Sequence, residues 1–182
     1  MTSSHRRLRA LLAVALMTAL LALFSPLAVT AGPIPLSLGS LAVYLAAALL
    51  HGKRSALAVF LYLLLGLIGV PVFTGFSGGI HHLLGPTGGF LLGYLPCALL
   101  SGWMIARLGD KPLVWTGAFI LGTLLLYLCG TGWYAMISRI PVTTAIPFCV
   151  FPFLPGDAIK IAFAVIGGLP LKKLLVRHRY LP

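Results

Sequence analysis

The fold is decided by an uncharged apolar stretch, residues 113–137, which reads LVWTGAFILGTLLLYLCGTGWYAMI. A helix needs about 20 mainly apolar residues to cross the hydrocarbon core of a bilayer, and this stretch is longer than that. Two further apolar runs, 8–27 and 87–106, reach the same length. The sequence therefore predicts helices that cross a membrane rather than the core of a soluble domain.

The rest of the chain agrees with a membrane environment. Sixty per cent of the 182 residues are hydrophobic and only 8% are charged, whereas a soluble domain carries roughly 25% charged residues. Three more apolar segments, 36–50, 55–70 and 156–175, bring the total to six, and no polar run separates them. We therefore expect residues 1–182 to form one domain, an all-α integral membrane protein built as a bundle of about six transmembrane helices.

The basic residues predict the orientation of this bundle. Eleven of them lie before, between or after the segments on one side: Arg6, Arg7, Arg9, Lys53, Arg54, Arg107, Lys111, Lys172, Lys173, Arg177 and Arg179. The connections on the other side carry Arg139 alone. Lys and Arg concentrate in cytoplasmic loops, so both termini are expected in the cytoplasm. The net charge of +11 thus indicates topology and contact with anionic headgroups rather than nucleic-acid binding.

The first segment has a second interpretation, as a cleaved signal peptide. Bases precede it, and residues 29–31 (VTA) resemble a cleavage site. Its apolar stretch is longer than the roughly 7–15 residues of a signal core. We expect the segment to be retained as the first helix.

The connections on the non-cytoplasmic side are apolar and rich in glycine and proline. Residues 69–79 (GVPVFTGFSGG) and 81–89 (HHLLGPTGG) contain no acid, Lys or Arg. Irregular backbone at membrane depth is tolerated where it lines a cavity, so we interpret these loops as a lid over a substrate cavity. The alternative is a loop that is merely compact.

One charged pair lies inside the last segment. Prolines at 152 and 155 suggest that a helix begins near Gly156, which would put Asp157 in its first turn and Lys160 on the same face at i+3. Charged groups within a membrane are functional candidates by default, although the two could form a purely structural ion pair. We favour a ligand contact, and for Lys160 we favour direct pairing with a ligand carboxylate over neutralisation of Asp157 alone.

Catalytic motifs are missing from the sequence. There is no P-loop, no Ser/His/Asp set and no HExxH helix, and the three cysteines lack metal-ligand spacing. We therefore expect neither an enzyme nor a cofactor or metal site. A binding subunit that works with ATP-driven partners and a solitary carrier using Asp157 as a proton relay both stay open on the residues alone.

Three motifs in order point to a family. GLIGVPVF (66–73), GPTGGFLLGY (85–94) and PFLPGDAIK (152–160) resemble the BioY family, the biotin-specific S components of energy-coupling factor (ECF) transporters. The resemblance implies a six-helix subunit in a bacterial-type cell membrane that captures biotin from the outer side. It also implies partners, namely one transmembrane coupling protein and two ATPase subunits. An S component for another vitamin is the alternative.

The resemblance and the lid interpretation together give the expected site residues. Small residues on the first helix form the docking surface in S components, and Ala15 and Ala19 match that pattern. The expected substrate-binding set is Asp157, Lys160, Gly78, Gly79, Thr87, Gly88 and Tyr94.

Overall fold

The computed structural model describes residues 3–29 and 34–177 of the chain. Its eight helices are α1 (Ser3–Phe24), α2 (Gly39–Leu50), α3 (Gly52–Leu67), α4 (Ile80–Leu84), α5 (Gly88–Leu108), α6 (Pro112–Ser138), α7 (Val142–Cys149) and α8 (Phe153–Arg177). Two short strands, β1 (Ala28–Val29) and β2 (Leu36–Ser37), pair antiparallel between α1 and α2. The six predicted segments correspond to α1, α2, α3, α5, α6 and α8.

The last helix begins earlier than predicted. We expected a start near Gly156, but α8 starts at Phe153, so Asp157 is its fifth residue and not part of the first turn. The reason is Pro155, which lies in the first turn of α8. A proline is tolerated there because its missing N–H would have had no partner within the helix.

Helix length does not by itself give six spans. Within the described residues, Arg7–Phe24, α5 and α6 are long and apolar enough to cross a membrane, and α7 with α8 forms a fourth candidate bent by 52°. Helices α2 and α3, with 12 and 16 residues, are only about 18 and 24 Å long at 1.5 Å per residue. The chain is a multi-pass, all-helical membrane protein, and the count of six spans stays a prediction.

Small residues allow the central helices to approach closely. A Cβ at Gly93 would come within 3.0 Å of Leu126 of α6, and one at Gly89 would overlap Trp133. Ser101 of α5 also donates a hydrogen bond to the carbonyl of Ala118 in α6, at 2.9 Å. The small-residue face of α5 therefore packs inside the bundle, because close backbone contact and such bonds stabilise helix pairs in lipid.

Helix α1 packs against α3 through buried polar contacts. Thr18 donates to the carbonyl of Ala58 (3.1 Å), and the hydroxyls of Ser25 and Tyr62 lie 2.6 Å apart. The first segment is therefore a packed helix of the bundle. The rest of the cleavage-site pattern, residues 30 and 31, lies outside the described residues.

The two ends of the bundle differ in charge. At one end, which we call the basic end, lie the α2–α3 turn, the α5–α6 turn and the last turns of α8. Lys172 joins all three, since its ammonium contacts Asp110 Oδ1 and His51 Nε2, both at 2.6 Å. An ammonium has no acceptor, so His51 accepts this bond as a neutral imidazole. The opposite end, which carries the β1–β2 pair, α4 and α7, we call the cavity end.

Candidate functional site

A cavity opens at the cavity end between α2, α5, α6 and α8. Its empty volume, which includes space open to solvent, is about 490 Å³. Its charged and polar lining residues are Asp157, Lys160, Ser37, Ser40, Thr74 and Thr87, and its remaining lining residues are Ile34, Pro35, Phe90, Leu91, Tyr94, Leu126, Tyr127 and Phe153. A mostly apolar cavity with a few converging polar groups is typical of sites for small organic ligands.

The floor of this cavity is the Asp157–Lys160 pair of α8. Lys160 Nζ lies 3.0 Å from Asp157 Oδ1, and both side chains are buried. The spacing of three residues places both on one face of the helix. Ser40, near the start of α2, donates to the same carboxylate oxygen at 3.3 Å, and Tyr127 of α6 donates to Oδ2 at 2.6 Å. Three helices therefore position one carboxylate.

The ammonium of Lys160 is fully occupied by the protein. It donates to the carbonyl of Ser37 at 2.7 Å, to Ser40 Oγ at 3.0 Å and to Asp157 Oδ1. A lysine ammonium has three N–H donors, so a ligand carboxylate would have to replace one of these bonds. Asp157 differs, because Oδ2 accepts from Tyr127 alone among the described residues and a carboxylate oxygen can accept two bonds. Oδ2 is therefore an acceptor open to a ligand N–H.

Aromatic rings form one wall of the cavity. Phe90 and Phe153 are stacked with centroids 5.8 Å apart and planes only 12° from parallel. Tyr127 meets Phe153 edge to face at 6.5 Å, and Phe153 is itself buried in a cluster with Ala145 and Cys149 of α7. Helix α7 therefore supports the wall from behind, and the wall offers flat apolar surface to a ring-shaped ligand.

The Gly-rich loop between α3 and α4 reaches the cavity through Thr74. Phe73 beside it is buried, packs edge to face on Tyr62 at 5.7 Å and lies against Gly66, where any Cβ would overlap its ring. The Gly75 N–H donates to the carbonyl of Pro26, just after α1, at 3.0 Å. The loop is thus held to α3 through Phe73 and to the end of α1 through Gly75.

The predicted site residues fall into two groups. Asp157, Lys160, Thr87 and Tyr94 line the cavity together. The other three are glycines that lie outside its lining and pack against backbone. Gly78 lies against the Val70 carbonyl and Gly88 against the Leu83 carbonyl. The N–H of Gly79 donates a hydrogen bond to the Gly66 carbonyl at 2.7 Å. Their role as ligand contacts stays a prediction.

Ten of the fourteen lining residues were not predicted from the sequence, and four of them illustrate why. Ser37, Ser40, Tyr127 and Phe153 come from β2, α2, α6 and α8. The two serines carried a signal, since a polar residue opening an apolar segment near a membrane needs a partner. Tyr127 and Phe153 carried none, because aromatic residues are common in any apolar helix.

The predicted docking residues lie on the outside of the bundle. Ala15 and Ala19 are exposed on α1, and Leu12, Leu16 and Leu23 beside them are each more than half exposed. This face is therefore free of the other described residues and available to lipid or another protein.

Comparison with known proteins places the chain in a family. The sequence profile of the BioY family matches residues 1–177. The chain belongs to the BioY family. It is 38% identical over 171 residues to the biotin transporter BioY2 of Lactococcus lactis subsp. cremoris, covering 94% of each chain. It is 33% identical to the biotin transporter BioY of Thermotoga maritima over 174 residues, covering 94% of this chain and all of that one.

A solved structure shares the fold of this BioY chain. It is a crystal structure at 2.1 Å of the S-component for biotin from an ECF-type ABC transporter. The TM-score is 0.86 at 29% identity, and the match covers 95% of both chains. The helical bundle is therefore the fold of an S-component for biotin.

Proposed function

We propose that this protein captures biotin and serves as the substrate-binding subunit of an ECF transporter. The observation that carries the proposal is the buried Asp157 carboxylate with an open acceptor position at Oδ2, facing an aromatic wall. It supports biotin because the bicycle of biotin is largely apolar and ends in a planar urea with two N–H donors. The two named relatives are biotin transporters, and the match covers nearly their whole length, which supports the same ligand.

Each part of the ligand has a complementary surface in the cavity. The urea N–H can donate to Asp157 Oδ2, and the thiophane ring can lie on Phe90 and Phe153. Thr87 and Thr74, which belong to the loops beside the opening, offer hydroxyls to the valerate tail. Lys160 pairs with Asp157 and holds its carboxylate in place, because a buried carboxylate needs a paired cation and hydrogen bonds.

Partners and location follow from the same assignment. The chain carries no P-loop, so uptake would be driven by a transmembrane coupling protein and two ATPase subunits docked on the Ala15 and Ala19 face of α1. The basic end would face the cytoplasm of a bacterial-type cell, with both termini there, because Lys and Arg concentrate on that side. The cavity would then open to the outside.

Isothermal titration of the detergent-purified chain tests the assignment. We expect saturable binding of biotin without ATP or partner, and no binding of thiamine or riboflavin under the same conditions. Tyr127→Phe should weaken biotin binding about tenfold by removing one hydrogen bond to a charged group. Tyr134→Phe is the matched control, since Tyr134 lies on the same helix and outside the cavity lining.

Two results would contradict the proposal. Absence of biotin binding by monodisperse protein would exclude a biotin-capture subunit. Biotin accumulation driven by a proton gradient in vesicles that lack ATPase subunits would instead identify a solitary carrier.

A further inference from the structure

A second hollow lies at the basic end, between the α5–α6 turn and the last turns of α8. Its empty volume is about 550 Å³, part of it open to solvent, and it is lined by Asp110, Leu169, Lys172, Lys173, Val176 and Arg177. It shares no lining residue with the cavity around Asp157. The hollow is therefore a different space from the cavity.

The charges of this hollow do not cancel. Lys172 is buried and bonded to Asp110 Oδ1 at 2.6 Å, and Trp115 Nε1 donates to the same oxygen at 3.2 Å. Asp110 is thus neutralised by Lys172. Lys173 and Arg177 are exposed, and neither has an ion pair or hydrogen bond within residues 3–29 and 34–177. Two positive charges, four residues apart on one face of α8, are left for an external anion.

The hollow also offers apolar surface at its rim. Leu169 is half-buried, and Val176 is more than half exposed. At the same end, outside the lining of the hollow, the exposed Trp103 of α5 lies under the guanidinium of Arg107, whose Cζ is 5.1 Å from the ring centroid. Tryptophan and arginine at one height are typical of the headgroup level of a bilayer. The occupant therefore needs an anionic head and an apolar body.

We propose that this hollow binds an anionic phospholipid. Its phosphate oxygens accept hydrogen bonds from Lys173 and Arg177, the guanidinium being suited to two parallel bonds, while its glycerol and upper acyl carbons lie against Leu169 and Val176. A zwitterionic lipid fits less well, because its headgroup ammonium would approach the same two cations. Basic pockets beside transmembrane helices on the cytoplasmic side are known to select anionic headgroups in this way.

The test is native mass spectrometry of detergent-purified protein titrated with dioleoyl-phosphatidylglycerol or dioleoyl-phosphatidylcholine. We expect the wild-type chain to bind phosphatidylglycerol at least tenfold more tightly. The double variant Lys173→Gln/Arg177→Gln should lose about thirtyfold in that affinity, a loss expected from removing two basic contacts at a membrane surface. Biotin binding of the double variant should equal that of wild type, which shows that it is folded.

The matched control is Lys53→Gln/Arg54→Gln, which removes two exposed charges from the α2–α3 turn of the same end. It should keep the lipid preference within threefold. An equal loss in this control would show general charge attraction and overturn the proposed pocket, as would a wild-type chain with no preference. Displacement of the lipid by glycerol 1-phosphate at matched concentration would reduce the hollow to a site for small anions. A double variant that keeps its lipid but loses the coupling partner would assign Lys173 and Arg177 to a protein interface instead.

Discussion

Neutralising the Asp157–Lys160 pair as a unit should destabilise the protein less than the sum of the losses from removing each charge alone. Asp157→Asn leaves a buried ammonium whose other acceptors, among the described residues, are the Ser37 carbonyl and Ser40 Oγ. Lys160→Met leaves a buried carboxylate whose remaining donors, within the part of the chain that the structure describes, are Tyr127 and Ser40. Removing one partner of a buried pair costs about 3–5 kcal/mol. For a chain of this length each kcal/mol lowers Tm by about 2–4 °C, so each single variant should lose roughly 10 °C.

The double variant Asp157→Asn/Lys160→Met leaves no charge buried. Its loss should be smaller than the sum of the two single losses by about 2–3 kcal/mol, the upper range of coupling between contacting residues. Thermal unfolding in detergent, monitored by cysteine labelling of Cys97 and Cys149, which are both buried, measures all four proteins. Losses that add within about 0.5 kcal/mol would refute the reasoning.

The pair at the basic end is the control for this cycle. Asp110 is 46% exposed, whereas its partner Lys172 is buried. Water screens such a pair, so the Asp110→Asn and Lys172→Met cycle should show a coupling below about 1 kcal/mol.

The same Lys160→Met protein decides what the ammonium does. All three of its N–H groups are bonded to the protein, so affinity for biotin and for an uncharged biotin amide should fall equally. A clearly larger loss for biotin would instead show direct contact with the ligand carboxylate, the role that the sequence favoured.

Three further outcomes are expected from other parts of the molecule. Ala15→Trp or Ala19→Trp should abolish biotin uptake in cells yet leave biotin binding by the purified chain unchanged, because a bulky side chain on an exposed face obstructs only a docking partner. Loss of biotin binding in the purified variant would contradict this. Gly66→Ala should displace the Phe73 ring, which holds the loop in place, and so speed biotin dissociation in stopped-flow measurements. Gly117→Ala is the control, because the space around its Cβ is open, and it should leave the rate unchanged. Equal dissociation rates in the two variants would exclude the loop as a lid. Burial, together with the neighbouring Lys172 charge, lowers the pKa of His51 in the folded protein. As the pH drops from about 7 towards 5, the unfolded chain therefore binds a proton at His51 more readily than the folded protein does, and Tm should fall. A His51→Gln variant whose Tm changes with pH as steeply as that of wild type would rule this out.

The sequence predicted the long helices well because their signal is physical and local. The runs of α5 and α6 are uncharged and long enough that only a membrane helix satisfies their backbone. The β1–β2 pair, α4 and α7 were missed because elements of two to eight residues are too short for periodicity to identify them. The start of α8 was misplaced because a proline can lie inside a first turn as well as before it.

The site was predictable only where it lies on a single helix. Asp157 and Lys160 are conspicuous as charges three residues apart in an apolar segment. Ser40 and Tyr127 are 117 and 30 residues from Asp157, and only the packing of α2, α6 and α8 brings them to the carboxylate. Gly78 and Gly79 were predicted to bind substrate but lie outside the cavity lining. Composition indicates that a loop is packed, but it does not indicate which of its residues face the cavity.

The neutrality of the cavity floor has an electrical consequence. Asp157 and Lys160 cancel, and no other charged residue is among the described residues that line the cavity. In a transport cycle an empty site would therefore carry no net charge across the membrane, whereas a site holding a carboxylate ligand would carry one negative charge. In a cell with a negative interior, bringing that charge fully across requires about 2.3 kcal/mol per 100 mV. The loaded inward step would thus be electrogenic and opposed by the resting voltage, and the return of the empty site would be indifferent to it.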